Sequence, residues 1–309
     1  MTNNMANIEE PKKIQERKEK PRSIWSEGFA RLFRNKLAVV GILIVVFMFV
    51  FSFIGPYFSE YKDARLSVQD QNKPPDADHW LGTDKLGRDI LLRLMEAGQV
   101  SLLVGVVATS IIILIGVTVG LLAGYYGKWV DTLLMRLADV IYSVPTLPIL
   151  ILLGAVLSDL KFPPDKRIYL VMFIIGIISW MTMSRMIRSQ ILSLKEQEFM
   201  LANEVLGLRD RKKIFKHLLP NTLPIIIVAG TLGVASTILL ESALSFLGLG
   251  VVPPTPSWGE MISAANNMID FQRRPWLWVP PGVCILVTVV AINLIGDGLR
   301  DAFDPKQKR

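Results

Sequence analysis

The chain is poor in the side chains on which most enzymes and metalloproteins rely. Of its 309 residues one is cysteine, Cys284, and two are histidine, His79 and His217. A lone cysteine excludes an intrachain disulfide and a cysteine-built metal centre. There is no H-E-x-x-H pattern and no G-x-S-x-G turn, so the common zinc-hydrolase and serine-hydrolase signatures are absent. A phosphate-cradling G-x-x-x-x-G-K-[ST] loop is missing too: Gly127-Lys128 is followed by Trp129, and Leu122 stands where the earlier glycine belongs. The reading is of a chain that is not an enzyme, has no catalytic residues, and binds no metal or cofactor of its own. The polar, lysine-rich start also lacks the apolar core and small-residue cleavage site of a signal peptide, so the first apolar run is expected to act as the insertion signal.

What the chain does have is hydrophobic length. Hydrophobic residues make up 51% of it, and the mean hydropathy is +0.41, too apolar for one water-soluble domain. Six apolar runs stand out, at 37–54, 101–124, 140–157, 168–187, 223–249 and 279–299. Each has about the 20 residues that a helix needs to cross a bilayer. The expected fold is therefore all-α and integral to the membrane, with six transmembrane helices and multi-pass insertion in the lipid bilayer of the cell (cytoplasmic) membrane.

Charge sets the expected orientation. The net charge is +7, but the basic residues are clustered, which argues for membrane topology and against nucleic-acid binding. Lys12, Lys13, Arg17, Lys18, Lys20 and Arg22 lie in the tail, and Arg31, Arg34 and Lys36 sit directly before the first run. The 188–220 loop carries Arg188, Lys195, Arg209, Arg211, Lys212, Lys213 and Lys216. Acids dominate the first loop instead, with Glu60, Asp63, Asp70, Asp76, Asp78, Asp84, Asp89 and Glu96. By the positive-inside rule both termini are cytoplasmic. The organisation that follows is a charged cytoplasmic tail at 1–36, a first transmembrane helix at 37–55, an extracytoplasmic loop at 56–98, a core at 99–300 and a cytoplasmic tail at 301–309. Residues 24–33 read as a short helix along the interface.

Within the runs a few residues carry more than hydrophobicity. Gly116, Gly120 and Gly124 form a small-xxx-small ladder of the kind that lets membrane helices approach closely. Pro145 and Pro148 break the third run; freed carbonyls in a membrane must face protein or a wet cavity, so this helix either lines a pathway or is statically kinked. Glu241 is an ionisable group in the outer half of the fifth run. It either lines a pathway near an outer gate or is a structural carboxylate satisfied by Ser242 or Ser245. Arg136 and Asp139 are spaced to pair on one helix face. Arg185 and Arg188 face headgroups or brace the following loop, and Trp180, Trp276 and Trp278 are candidate interfacial anchors.

In the first long loop, Gly82 and Gly87 mark turns, Thr83 or Asp84 is a candidate cap, and helix is expected from about Arg88. The polar stretch 194–224, between the fourth and fifth runs, predicts two short amphipathic helices. Phe199, Ala202, Val205 and Leu206 recur on one face of the first. Gly207 permits a turn, Asp210 is a candidate cap for the second, and Pro220 and Pro224 should end or kink it. Such a knob at the membrane face is suited to being gripped by a soluble partner.

This stretch resembles the EAA loop of permeases in ATP-binding-cassette (ABC) importers, which runs Glu-Ala-Ala, three residues, Gly, nine residues, Ile, one residue, Leu-Pro. Ala202, Gly207, Leu219 and Pro220 stand in register; Leu201, Asn203 and His217 replace the Glu, the second Ala and the Ile. Three further stretches resemble one subunit type. They are HWLGTDKLGRDILLRLMEAGQVSL from His79, ESALSFLGLGVVPPTPSWG from Glu241 and NLIGDGLRDAFDP from Asn293. All are similar to the C-type permease subunit of the dipeptide/oligopeptide (and nickel) import family. The resemblance implies a type I importer permease, with an extra N-terminal helix before a five-helix core. It implies partners: a second, B-type permease subunit, two ABC ATPases that use ATP-Mg, and an extracytoplasmic peptide-binding protein. It also makes 194–220 the ATPase-coupling loop, marked by Ala202, Gly207, Leu219 and Pro220, with Phe199 and Val205 as its apolar contacts. The same architecture importing nickel complexes or another small solute is the nearest alternative. A secondary transporter would place several charges within its spans, and few are present beyond Glu241. A non-transporting membrane scaffold would tolerate changes in the loop.

Overall fold

All regular elements among the described residues are helices, as the apolar runs require. The computed structural model describes residues 24–61, 68–160 and 163–303; the basic stretch at 1–23 and the tail at 304–309 lie outside them. α1 (Ile24–Arg34) and α2 (Lys36–Phe53) meet at Asn35, whose side chain accepts from the N–H groups of Leu37 and Ala38. α3 (Ile90–Tyr126) is capped by Asp89, which accepts from the Leu92 N–H. Gly127 turns the chain into α4 (Lys128–Ser143), and α5 (Thr146–Asp159), α6 (Pro164–Ile178), α7 (Met181–Lys195) and α8 (Glu198–Val205) follow. α9 (Asp210–Lys212), a π-helical turn (Lys213–Leu218) and α10 (Leu219–Phe246) run on as one helix. Short α11 (Trp258–Ile262) and α12 (Met268–Arg273) precede α13 (Val279–Phe303).

Four of these are long and apolar enough to cross a membrane: Lys36–Phe53, Ile90–Tyr126, Asp210–Phe246 and Val279–Phe303. The number rises to six if each of two bent pairs is one span, α4 with α5 at 73° and α6 with α7 at 40°. The 37 residues of α3 extend about 55 Å at 1.5 Å per residue, well beyond a hydrocarbon core of about 30 Å. Crossing the bilayer, it therefore extends beyond the apolar zone at one end at least.

The break between α4 and α5 falls where the prolines put it. Val144, forced out of helical geometry by the ring of Pro145, is extended at φ −92 and ψ 125. Pro148 sits in the first turn of α5, where its missing N–H costs no hydrogen bond. The glycine ladder also does what its spacing implies, against α7. A Cβ on Gly116 would lie 2.7 Å from the Met183 Cβ, one on Gly120 2.6 Å from the Ser184 carbonyl oxygen, and one on Gly124 2.8 Å from the Ile191 Cβ.

Several local expectations are corrected. Asp89, rather than Thr83 or Asp84, caps α3; Thr83 accepts from the Lys73 N–H, and Asp84 from those of Leu86 and Arg88, which holds the preceding loop together. Asp210 is inside its helix and caps nothing. Pro220 and Pro224 do not end the helix: the wider π turn at Lys213–Leu218 takes up one extra residue just before Pro220, which relieves the clash a proline makes with the preceding turn. Asp139 pairs with Arg185 of α7 at 2.7 Å instead of Arg136. Trp180 is no interfacial anchor; it is buried at the α6–α7 bend against Ala138 and Met181.

Candidate functional site

The two ends of the helix bundle differ in construction. One end gathers α1, the ends of α3, α7 and α13, and the 196–218 segment. The other gathers the loop before α3 with α11 and α12.

At the first end α8 is anchored by Met200. This side chain joins Ile187, Ile191, Leu194, Ile214, Leu218 and Ile226 in one buried cluster, against which Phe199 and Leu219 are half-buried. The knob is thus packed on α7 and α10 by apolar contact. Gly207 then reverses the chain at φ +65, a conformation glycine adopts without steric cost. Its N–H donates to the Glu204 carbonyl at 2.9 Å. Beyond the turn Asp210 is held from α3: the Tyr125 hydroxyl donates to its carboxylate at 2.6 Å. Lys195 of α7 donates to the Tyr125 carbonyl at 2.8 Å and lies over its ring. Three long helices therefore hold one small knob. A second brace joins α7 to α4, where Arg188 grips Asp131 with two N–H groups, one at 2.6 Å.

The other side of the knob is open. Val205 is 88% exposed and Leu206 75%. Ala202, Gly207 and Pro220 are exposed as well. Leu206, Leu208 and Phe215, with Arg209, Arg211, Lys212 and Lys216, line an open hollow of about 790 Å³. Of the residues singled out in sequence, Phe199 and Leu219 face inward and fix the knob, while Ala202, Val205, Gly207 and Pro220 face out. The pattern reading missed Phe215. It stands past the turn on a different helix, and only the fold brings it beside Leu206.

Pro145 and Pro148 are exposed on the outside of this chain, at the α4–α5 bend. Glu241 lies elsewhere and is fully buried. Its carboxylate accepts from the hydroxyls of Ser245 at 2.7 Å and Ser101 at 3.2 Å.

The opposite end is tied by charge. Arg93 donates to Glu260 at 2.9 Å and lies 3.7 Å from Asp84, which also takes Arg88 at 2.7 Å. Burial pushes the Glu260 carboxyl up, against the pull of Arg93 and Arg88. His79 pairs with Asp89 at 2.9 Å. Asp270, 1% exposed, joins two segments by accepting from Arg274 at 2.7 Å and pairing with Lys85 across 3.1 Å. Burial alone would raise the Asp270 carboxyl, but its bonds to Lys85 and Arg274 hold it below the usual aspartate value. The folded carboxylate thus keeps its charge to lower pH than the unfolded one. Its contribution is complete above the ordinary aspartate range and disappears as the pH falls below it. Limited proteolysis of this end is expected to be slow at pH 7 for the wild type and to speed up as the pH falls below the ordinary aspartate range, and to be already fast at pH 7 for Asp270→Asn. Equal cleavage of the two proteins at pH 7 would remove Asp270 as the clamp.

Residues 116–309 match the family model described as binding-protein-dependent transport system inner membrane component. Residues 23–75 match the N-terminal TM domain of oligopeptide transport permease C. The oligopeptide transport system permease protein OppC of Bacillus subtilis is 39% identical over 287 residues, covering 93% of this chain and 91% of that one. The dipeptide transport system permease protein DppC of the same organism is 42% identical, covering 93% and 87%. The OppC protein of Haemophilus influenzae is 37% identical, covering 96% and 93%.

Proposed function

Because the chain belongs to the family of binding-protein-dependent transport inner membrane components, and to its oligopeptide/dipeptide permease-C branch, we propose that it is one of two permease subunits of an ATP-driven peptide importer. The knob from α8 to Leu219 is where a cytoplasmic ATPase docks. The observation that carries this is the knob's two-sidedness. One side is locked to α3, α7 and α10 through Tyr125–Asp210, Lys195 and the Met200 cluster. The other presents Val205, Leu206 and Phe215 within a basic rim. A partner gripping the outer side moves the spans, since the inner side has no slack.

Each bent pair then counts as one span, and six spans put both termini in the cytoplasm. Closure of two ATPases on ATP-Mg turns the knob, and a pathway between this subunit and a B-type permease alternates between outward and inward access. Such coupling requires contacts that differ between the two states. Pro145 and Pro148, exposed at the sharpest bend, face that partner or the pathway. The opposite end, with its charged loop contacts, meets an extracytoplasmic peptide-binding protein. Nickel complexes are set aside, because the compared relatives carry peptide names.

The test is uptake of labelled di- and oligopeptides by cells carrying this permease with its partner subunits, against cells lacking only this chain. Peptide accumulation that requires both this chain and hydrolysable ATP supports the reading. Accumulation of nickel and no peptide would overturn it.

A further inference from the structure

Glu241 is the one ionisable residue of the fifth span, and nothing in the coupling mechanism uses it. It lies in α10, 0% exposed, out of reach of a passing substrate in this conformation. Its surroundings are unusual in a consistent way. The Ser245 hydroxyl donates to one oxygen at 2.7 Å; those of Ser101 and Ser242 reach the other at 3.2 and 3.5 Å.

Two of these serines have a second bond, each to a backbone N–H at one end of the loop. Val251 donates to the Ser245 Oγ at 2.9 Å and Trp258 to the Ser101 Oγ at 3.1 Å. A serine has one O–H and two lone pairs. With the O–H given to Glu241, the lone pairs are left for the loop. The centre of such a ring has to accept several hydrogen bonds at once, which a carboxylate does and an amide, with two N–H donors, does not. Both ends of the proline-rich stretch from Val251 to Trp258 are thereby set by one side chain. Gly259 completes the fit, since a Cβ there would lie 2.5 Å from the Ser242 Cα.

The stretch so held borders a cavity of about 400 Å³, which Pro253 lines together with Glu260, Met261, Lys85, Arg88 and Arg93. We infer that Glu241 is a positioning residue: through Ser101 and Ser245 it fixes the 251–258 segment in the shape that receives the substrate-loaded binding protein. This rests on the importer reading above, which puts that protein at this end.

The experiment uses the whole complex in nanodiscs, with ATP hydrolysis followed as peptide-loaded binding protein is titrated. Glu241→Gln is expected to raise the half-saturating concentration about tenfold, with the maximal rate within about twofold of wild type. Ser101→Ala and Ser245→Ala are each expected to give a smaller rise, and neither to add its full effect to Glu241→Gln, as members of one network. A merely structural role predicts fewer assembled complexes and a lower maximal rate at unchanged half-saturation; that result overturns the inference, as does no change at all. If Glu241→Gln does not assemble, the two serine variants decide by the same criterion. A wild-type complex that no loaded binding protein stimulates would defeat the importer reading itself, and this inference with it.

Discussion

Placing proline at Gly207 is expected to bring peptide uptake down to background while the chain still inserts and still co-purifies with its partners. Gly207 has φ +65, and a proline ring holds φ near −65°. The substitution also deletes the N–H that donates to Glu204. The turn must therefore be rebuilt, and with it the path from α8 to Asp210 and its Tyr125 tether. Nothing lies within 4 Å of a Cβ at this position, so no clash spreads into the bundle and assembly is spared. Gly207→Ala is the graded control. A side chain in the left-handed region costs about 1–2 kcal/mol, which the exposed turn absorbs in part, so uptake falls only a few-fold. Normal uptake in Gly207→Pro would mean that the knob transmits no work.

The second large effect is the reverse: Gly120→Val is expected to remove the complex rather than its coupling. A Cβ at Gly120 would lie 2.6 Å from the Ser184 carbonyl oxygen and 2.8 Å from the Ile187 Cβ. Both neighbours belong to the body of α7 and cannot swing aside. Overpacking of this kind costs about 1–3 kcal/mol or more. Helix association in lipid also leans on close approach, because apolar burial gives no advantage over contact with lipid tails. The amount of co-purified complex should fall several-fold, since cells clear marginal proteins. Gly282→Ala, whose Cβ meets only the Ile262 side chain at 4.0 Å, should leave it unchanged. Wild-type levels of Gly120→Val would mean that α3 and α7 are not in contact in the working transporter.

These two glycines also mark what was legible in the sequence. The ladder at 116, 120 and 124 was readable because helical spacing alone puts the three on one stripe, although the sequence did not say which helix they meet. The turn at Gly207 and the break at Pro145 were readable because backbone chemistry decides them locally. The helix through Pro220 was not. A proline normally stops a helix, whereas here a π turn, which has no composition of its own, precedes Pro220 and the chain continues. The Asp139–Arg185 pair was missed for another reason: Arg136 was a neighbour at helical spacing, and the true partner lies 46 residues away. Glu241 shows the same limit. Ser242 and Ser245 were visible as near neighbours, but Ser101 arrives from another helix, 140 residues distant. Phe215 joins Leu206 on the knob only after the chain has turned. Hydrophobic length and backbone punctuation can be read along the chain; which charges and hydroxyls share a site is decided by packing.

The central claim is that an ATPase sits on the exposed side of the knob, and site-directed cross-linking tests it most directly. Val205→Cys in a Cys284→Ser background leaves one thiol, on the most exposed apolar residue of α8. Labelled with a thiol-anchored photo-cross-linker in the assembled complex, it is expected to yield an adduct with the ATPase subunit whose amount changes when ATP binds. Trp80→Cys, exposed at the opposite end, is expected to yield none. An ATPase adduct from Trp80→Cys, or none from Val205→Cys in a complex that still hydrolyses ATP, would contradict the account.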